Sequence, residues 1–471
     1  MFRRVGAAGV AVLTLAAVGL AAQATAGTHA SHASPRVFGY GDPGLTVSLA
    51  PQGLAAHDSS GEPSIGADWR IGAGMFMNGS ATYRLTLDKS AVSWSDASAA
   101  QGFGVNLDPI MVTEPHTGLT LAGGDDGACG ILFSSPDDGA TWTPSLPCTF
   151  SYDHPTVSYA PSALRPGSDT FYYCQQGPDV QQCATSITNG ATWNPPVPLA
   201  GDPPASVVPQ TCIGLFGHLR GSADGTAYLP SKNCFLSSGN TGIGGMKTSD
   251  DGLTWSEYLV PGQIGHGFDP AVATTPDNTV YEAWEDASNY HPMIASSRTH
   301  GGSWTAPVDL AKSVRPALVA ATFPTLTAGD NGRVAYSFLG TSVGKGDPNA
   351  GGFKGTWYLY TSFTYDGGKH WTTVKDTPQP MQYGEVDNGG TLTSGQRNLL
   401  DFIDSTVTKD GRVLVAYVTG CLTDCLQAAA GGNINNAIGA STHAWASVAY
   451  QTSGRGLFAA YDVKCGAARK C

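Results

Sequence analysis

The most constraining feature of this sequence is a short turn motif that recurs along the chain and ends in tryptophan. Its copies, in decreasing clarity, are Ser135–Trp142 (SPDDGATW), Thr248–Trp255 (TSDDGLTW), Thr364–Trp371 (TYDGGKHW) and degraded segments ending in Trp193, Trp304 and Trp94. In such a turn the Asp side chain accepts backbone N–H groups, and Gly supplies a left-handed conformation. The Trp packs beneath the turn. Recurrence of one turn along a chain indicates a fold of repeated β units.

A second pattern stands ahead of the turns. An acidic, His or aromatic residue, often followed by Pro, precedes a short alternating stretch in seven places. These residues are Glu62, Asp108, His154, His218, Asp269, Phe323 and Asp401. Alternation of this kind is typical of a half-buried strand, and further strands such as "DNTVYEAWED" follow. Seven such units predict an all-β fold, a seven-bladed β-propeller, with a six-bladed propeller as the alternative.

The N-terminus has the composition of a secretory signal peptide. Arg3 and Arg4 precede an apolar run, and Ala24-Thr25-Ala26 supplies the small residues of a cleavage site. No later segment is long and apolar enough to span a membrane, so we expect a secreted, extracellular protein. The predicted organisation is a signal peptide (1–26), a lead-in with a candidate ring-closing strand (27–60), one propeller (61–463) and a disulfide-bonded tail (464–471).

The last repeat unit, around residues 444–458, lacks a proper turn motif. Its outer strand must therefore come from another part of the chain if the ring is to have no exposed edge. Gly44–Leu49 (GLTVSL) is one candidate, and Gly456–Val463 is the other. The sequence leaves both open.

All ten cysteines follow the predicted signal peptide, and an even number suits an oxidising compartment. Their spacing favours pairing between neighbours in the chain. The expected disulfides are Cys129–Cys148, Cys174–Cys183, Cys212–Cys234, Cys421–Cys425 and Cys465–Cys471.

The net charge argues against two classes of partner. Removal of the signal peptide takes the charge from −12 to −14, because that segment carries Arg3 and Arg4. An acidic chain without a Lys/Arg cluster is a poor ligand for nucleic acid or anionic membranes. We expect a monomer whose partner is a glycan or an acidic-sugar substrate.

Longer phrases resemble one known family. They are "EPSIGADW", "HLRGSADGTAYLPSKNC" and "RNLLDFIDSTVTKDGRVLVAY". Together with the turn motifs, they resemble the sialidase-like Asp-box (BNR-repeat) propellers over roughly 61–463, and most of all the secreted actinobacterial proteins called exo-sialidases. The resemblance implies a glycoside hydrolase that acts on an acidic sugar. The Phe/Tyr-Arg-Ile-Pro sequence of that family does not occur in this chain.

Propeller topology predicts where the chemistry lies. The inner strands begin on the face opposite the turn motifs, so polar residues at their starts converge on an axial funnel. Glycoside hydrolysis needs a protonated carboxyl group and an ionised one, and crowding separates carboxyl pKa values. The catalytic candidates are Asp269, Asp108, Glu62, His218 and His154. The candidates for substrate binding are Arg397, Arg220, Arg315, Asp401 and Asp404.

Two other functions fit the same funnel. A uronic-acid polysaccharide lyase would use His154 and His218 as base or metal ligands, with Arg397 against the uronate. That chemistry often takes a divalent metal, whereas hydrolysis predicts no cofactor. A non-catalytic glycan- or protein-binding propeller is the third hypothesis.

Overall fold

The computed structural model describes residues 43–79, 81–88, 91–99, 107–125, 128–150, 153–176, 181–199, 212, 215–235, 241–386 and 397–462. Within these ranges the chain forms seven antiparallel sheets of four main strands each, the blades of a propeller. The seven-bladed prediction is confirmed, and the six-bladed alternative is wrong.

Each blade has an inner strand at the axis and three strands outside it. In chain order the strands are β1 (Gly44–Leu49), β2 (Ser64–Asp68), β3 (Ala73–Met77), β4 (Thr82–Leu87), β5 (Val92–Asp96), β6 (Leu107–Thr113), β7 (Thr120–Asp125), β8 (Cys129–Ser135), β9 (Thr143–Phe150), β10 (Asp153–Pro161), β11 (Asp169–Gln176), β12 (Gln181–Ser186), β13 (Val197–Pro198), β14 (Arg220–Gly221), β15 (Ala227–Phe235), β16 (Thr241–Thr248), β17 (Ser256–Leu259), β18 (Ala271–Thr274), β19 (Val280–Glu285), β20 (Pro292–Ser297), β21 (Val308–Asp309), β22 (Ala320–Ala328), β23 (Val334–Thr341), β24 (Gly355–Thr364), β25 (Thr372–Lys375), β26 (Gln382–Gly384), β27 (Asp404–Val407), β28 (Val413–Thr419) and β29 (Trp445–Ser453). Successive groups of four from β2 to β25 form blades one to six, and β26 pairs with β24. Blade seven has the order β27, β28, β29, β1 from the axis outwards.

Antiparallel pairing of β1 with β29 closes the ring. Leu45 lies opposite Gln451, and Leu49 lies opposite Ser447. Gly44–Leu49 is therefore the outer strand of blade seven, and the C-terminal end of the described chain forms a short 3-10 helix, Ala459–Tyr461. Inner strands of consecutive blades contact one another, and β27 contacts β2. The inner ring is continuous.

Three short helices lie in the connections between strands. α1 (Thr423–Ala430) and α2 (Ile434–Ala440) lie between β28 and β29, and a 3-10 helix, Leu310–Ser313, follows β21. Among the residues described, no helix has the length and apolar character needed to cross a membrane.

The repeated turn has the same hydrogen bonds in its clear copies. Asp137 accepts the Thr141 backbone N–H at 2.8 Å and the Thr141 hydroxyl at 2.7 Å. Asp250 accepts the equivalent groups of Thr254 at 2.9 and 2.6 Å. Gly139 has a φ of 78°, a left-handed conformation that glycine adopts without strain. These aspartates therefore serve the turn itself.

The tryptophans at the ends of the turns are half-buried beneath them. They are Trp94, Trp142, Trp193, Trp255, Trp304 and Trp371. Each packs against a hydrophobic cluster of the core. The indole of Trp142 donates to the Ala97 carbonyl of the preceding blade at 2.8 Å. A turn thus also ties one blade to the next.

Four of the five predicted disulfides are present. They are Cys129–Cys148, Cys174–Cys183, Cys212–Cys234 and Cys421–Cys425. The fifth pair, Cys465–Cys471, lies outside the described residues, as do the predicted signal peptide and C-terminal tail.

The second aspartate of the turn at Thr248–Trp255 joins two blades. Asp251 is 6% exposed and accepts the Ser162 hydroxyl at 2.6 Å and the backbone N–H groups of Ala163 and Leu164 at 2.9 and 3.2 Å. Its neighbour Asp250 bonds only within its own turn. The two adjacent carboxylates therefore hold different parts of the fold.

We expect Asp250→Ala to lower the free energy of unfolding by about 1–3 kcal/mol, because backbone and hydroxyl donors of one turn lose their acceptor. Asp251→Ala should cost more, since Asp251 and the Ser162 hydroxyl that donates to it are buried and join two blades. Chemical denaturation monitored by tryptophan fluorescence measures both, with the exposed Lys369→Ala as control. Equal losses for the two variants would contradict the inter-blade role of Asp251.

Candidate active site

The inner strands of four blades carry the same strained residue before a proline, at or near the start of the strand. The residue before the strand proline has a left-handed φ of 55° at Glu62, 41° at Asp108, 48° at His154 and 56° at Phe323. Such a conformation costs a non-glycine residue about 1–3 kcal/mol and persists only where the surroundings enforce it. Three of these four residues are titratable, and all three lie in one cluster at the axis.

His154 is the centre of this cluster. Its Nδ1 lies 3.0 Å from Asp269 Oδ2, and its Nε2 lies 3.8 Å from Asp401 Oδ2. Burial alone would lower the pKa of His154, but hydrogen bonds to Asp269 and Asp401 outweigh burial and hold that pKa well above its ordinary range. The ring is an imidazolium between two carboxylates from blades five and seven.

Both carboxylates are held ionised. Burial opposes this for Asp401, but hydrogen bonds from His154 and Arg397 lower its pKa to about 2. Arg397 binds Asp401 through two nitrogens at 2.6 and 3.1 Å. Burial likewise opposes ionisation of Asp269, and the charge of Lys232 at 3.6 Å and the bond from His154 lower its pKa. The cluster therefore contains two stable anions.

A second group of three carboxyls is joined by hydrogen bonds. Glu62 is 2% exposed, and burial together with the charge of Asp108 raises its pKa well above its ordinary range. Burial also raises the pKa of half-buried Asp153 to about 7, with a further contribution from Asp108. Asp108 is hydrogen-bonded to both carboxyls and accepts the His154 backbone N–H at 2.9 Å. Protonated and ionised carboxyls thus lie side by side.

A deeper tier lies along the axis. The Arg220 guanidinium donates a hydrogen bond to Asp404 Oδ1 at 2.7 Å, and His218 Nδ1 lies 3.6 Å from the same oxygen. Burial opposes ionisation of Asp404, but the charge of Arg220 and the bond from His218 lower its pKa to about 2. The His218 ring packs edge-on against Phe402, with centroids 4.5 Å apart.

The structure brings most of the proposed site residues together. The funnel cluster, as we call it, comprises Glu62, Asp108, Asp153, His154, Lys232, Asp269, Arg397 and Asp401, with His218, Arg220 and Asp404 below it. Arg315 does not belong to it. That residue is exposed beside the 3-10 helix after β21, and its guanidinium donates to the Lys312 and Val314 carbonyls. Arg315 follows the 3-10 helix and precedes β22, outside the funnel cluster.

Two members of the cluster receive no role in the sequence analysis. One is Asp153, although its position directly before His154 is a usable signal. Lys232 lies near the axial-funnel end of β15, where its ammonium contacts Asp269 and the Gly267 carbonyl. Nothing in the local sequence around Lys232, in the second strand of its blade, indicates this contact.

The described space beside the cluster is narrow. A cavity of ≈ 30 Å³, room for about one water, is lined by residues that include His154, His218, Asp269 and Asp401.

Within the described part of the chain, no three His, Cys, Asp or Glu side chains are arranged to hold a metal ion. Both ring nitrogens of His154 face carboxylates. A metal-binding role for His154, as the lyase hypothesis would require, finds no support in this arrangement.

Several solved structures are similar to this chain at low identity. A protein of unknown function from Dyadobacter fermentans is 14% identical over 87% of this chain and 99% of that chain, with a TM-score of 0.45. A polysaccharide lyase, an ulvan lyase, is 12% identical over 77% and 91%, with a TM-score of 0.45. An intramolecular trans-sialidase from Ruminococcus gnavus is 11% identical over 78% and 92%, with a TM-score of 0.35. These likenesses concern the fold alone.

No protein-family model matches the sequence. No curated protein matches it either.

The opposite protonation states of Glu62 and Asp401 predict opposite responses to amide substitution. At neutral pH Glu62→Gln replaces one neutral group by another and should change the free energy of unfolding by less than about 1 kcal/mol. Asp401→Asn leaves Arg397 and His154 without their anion and should cost about 3 kcal/mol. Denaturant unfolding at pH 7 measures both.

The pH dependence provides the control. The folded pKa of Asp401, about 2, is below its ordinary value of 3.8. Its contribution to stability is therefore present above pH 3.8 and is lost as pH falls towards 2. The stability gap between wild type and Asp401→Asn should close over that window. A gap that stays constant down to pH 2 would contradict the assignment of Asp401 as a paired anion.

Proposed function

We propose that the protein is a glycoside hydrolase whose reacting groups are the carboxyls of the funnel cluster. The observation that carries this proposal is the coexistence of protonated and ionised carboxyls around one imidazolium. Glycosidic-bond cleavage needs that division: one carboxyl protonates the leaving oxygen, and another activates water or attacks the sugar. Environments that push carboxyl pKa values apart assign these roles.

Asp153 suits the role of general acid. Its pKa of about 7 keeps it protonated in weakly acidic solution and able to release its proton near neutrality. It is half-buried, whereas Glu62 is 2% exposed. We therefore assign proton donation to Asp153 and a supporting role to Glu62, which holds Asp108 by a hydrogen bond.

Asp401 suits the role of the ionised partner. Its side chain is 16% exposed, against 9% for Asp269, and its pKa of about 2 keeps it anionic across the useful pH range. Arg397 and His154 fix its orientation. A carboxylate held in one orientation can act on water or on the sugar without reorganising in the transition state.

The same geometry disfavours the lyase hypothesis. β-Elimination needs a base at neutral pH, and His154 is already protonated between Asp269 and Asp401. His154 therefore does not offer a free base. His218 lines the same narrow cavity, and its Nδ1 lies 3.6 Å from the Asp404 carboxylate.

The described arginines do not form a carboxylate clamp. Arg397 is engaged with Asp401, Arg220 with Asp404, and Arg315 lies at the rim. An acidic sugar would have to displace one of these ion pairs. The proposal is therefore hydrolysis of a glycosidic bond without a requirement for an acidic sugar.

A leaving-group experiment tests the role of Asp153. On sugars with poor leaving groups, Asp153→Asn should lower kcat/KM by about 10²–10⁴-fold, because the leaving oxygen needs a proton. On dinitrophenyl glycosides of the same sugars the loss should be much smaller, since that leaving group departs unprotonated. The measurement is release of free sugar or dinitrophenol by the purified protein, over a panel of neutral and acidic glycosides.

Wild-type kcat/KM should fall as pH rises through about 7, and this limb should disappear in Asp153→Asn. Asp250→Ala, in a turn on the opposite face, should keep kcat/KM while losing stability. Equal losses on both kinds of leaving group would refute Asp153 as the acid. No turnover across the panel would overturn the hydrolase proposal, and an ultraviolet-absorbing unsaturated product would establish a lyase instead.

A further inference from the structure

A second and larger cavity opens along the axis on the opposite face. Its volume is ≈ 560 Å³, within the range of sites that bind small molecules. It lies among the second halves of the inner strands and the turns that follow them. The turn after β2 contacts a motif turn there, because Arg70 donates to the Pro136 carbonyl at 3.4 Å. This cavity, which we call the turn-face cavity, therefore opens on the face that carries the repeated turns.

The ion pair of Arg220 and Asp404 separates this cavity from the funnel cluster. Arg220 lines both the narrow cavity and the turn-face cavity. Asp404 is further held by the Ile65 N–H at 3.2 Å and the Ser64 hydroxyl at 3.1 Å. This ion pair, with Asp404 buried and Arg220 half-buried, lies between the two cavities.

Four of the residues that line the turn-face cavity carry hydroxyls that make no hydrogen bond to another described residue. They are Ser158, Tyr159, Thr327 and Thr406. They come from the inner strands of blades three, six and seven. Hydroxyls spread around a concave surface can donate to and accept from a ligand that is itself rich in hydroxyls.

Aromatic side chains form part of the rim. Trp69 contacts His116 and Phe458, with ring centroids 5.0 and 5.2 Å apart, and its indole N–H donates to the Val407 carbonyl at 2.8 Å. All three rings line the cavity. Apolar surface next to placed polar groups is the usual composition of a small-molecule site.

The charges of this cavity oppose an anionic ligand. Half-buried Asp169 and buried Glu114 line it, and Glu114 already accepts the backbone N–H groups of His116 and Thr117 at 2.9 and 2.6 Å. The cation Arg220 is committed to Asp404. A ligand in this cavity must form hydrogen bonds with the hydroxyl groups and carry no negative charge.

From this geometry we infer that the turn-face cavity is a second binding site, which takes the end of a neutral saccharide. The site is distinct from the proposed reaction centre, because the Arg220–Asp404 ion pair lies between them. It would hold a glycan on one face of the ring while the funnel cluster acts on the other.

Isothermal titration of the full chain with neutral tetrasaccharides (cellotetraose, xylotetraose, mannotetraose) and with tetragalacturonate tests this inference. Wild type should bind at least one neutral tetrasaccharide and bind tetragalacturonate more weakly. The double variant Tyr159→Phe/Thr406→Val removes two wall hydroxyls at nearly constant shape, and it should weaken binding by about tenfold or more. If this variant does not fold, Thr327→Val provides the same measurement.

Tyr172→Phe is the matched control. The Tyr172 hydroxyl is buried in β11 without a hydrogen-bond partner among the described residues, and it does not line the cavity. This variant should bind like wild type, and so should Asp153→Asn in the funnel. Absence of saturable binding to every neutral tetrasaccharide would overturn the inference. So would binding that Asp153→Asn abolishes while Tyr159→Phe/Thr406→Val retains it.

Discussion

Pairing of β1 with β29 is the interaction on which the rest of the structure depends. It joins the first described strand to the last and leaves β29 paired along both of its edges. An open ring would expose the backbone groups of β29 and free the blades to separate. Closure also sets the distance across the axis. Residues of blades three, five and seven meet at His154 only because that distance is short.

The axial cluster shows how a protein can gather many carboxyls while limiting their charge repulsion. Two of them, Asp269 and Asp401, are neutralised by cations. Two others, Glu62 and Asp153, instead retain protons because burial disfavours their charged forms. Each solution lowers the electrostatic cost, and together they produce neighbouring acids and bases. Strained backbone at the starts of several inner strands indicates that this arrangement is maintained against a local cost.

The ion pair of Arg220 and Asp404 lies between two ends of the axis that have different chemistry. In the funnel cluster, the charged groups are crowded and most of them form ion pairs with one another. This arrangement suits proton transfer more than ligand binding. In the turn-face cavity, hydroxyls and aromatic rings line a wider space, which suits recognition. Reaction on one face and retention on the other would be a natural use of a ring whose inner strands present different residues along their length.

The sequence by itself determined the blade number and the polar starts of the inner strands, because turn chemistry and strand alternation are local properties. It also placed Asp269 and His154 on one face. It did not choose between Gly44–Leu49 and Gly456–Val463 for ring closure, because either could supply an extended edge. It treated Arg315 and Arg397 as equivalent, although only one reaches the axis. Those outcomes depend on contacts between segments far apart in the chain, and only the closed tertiary ring decides them.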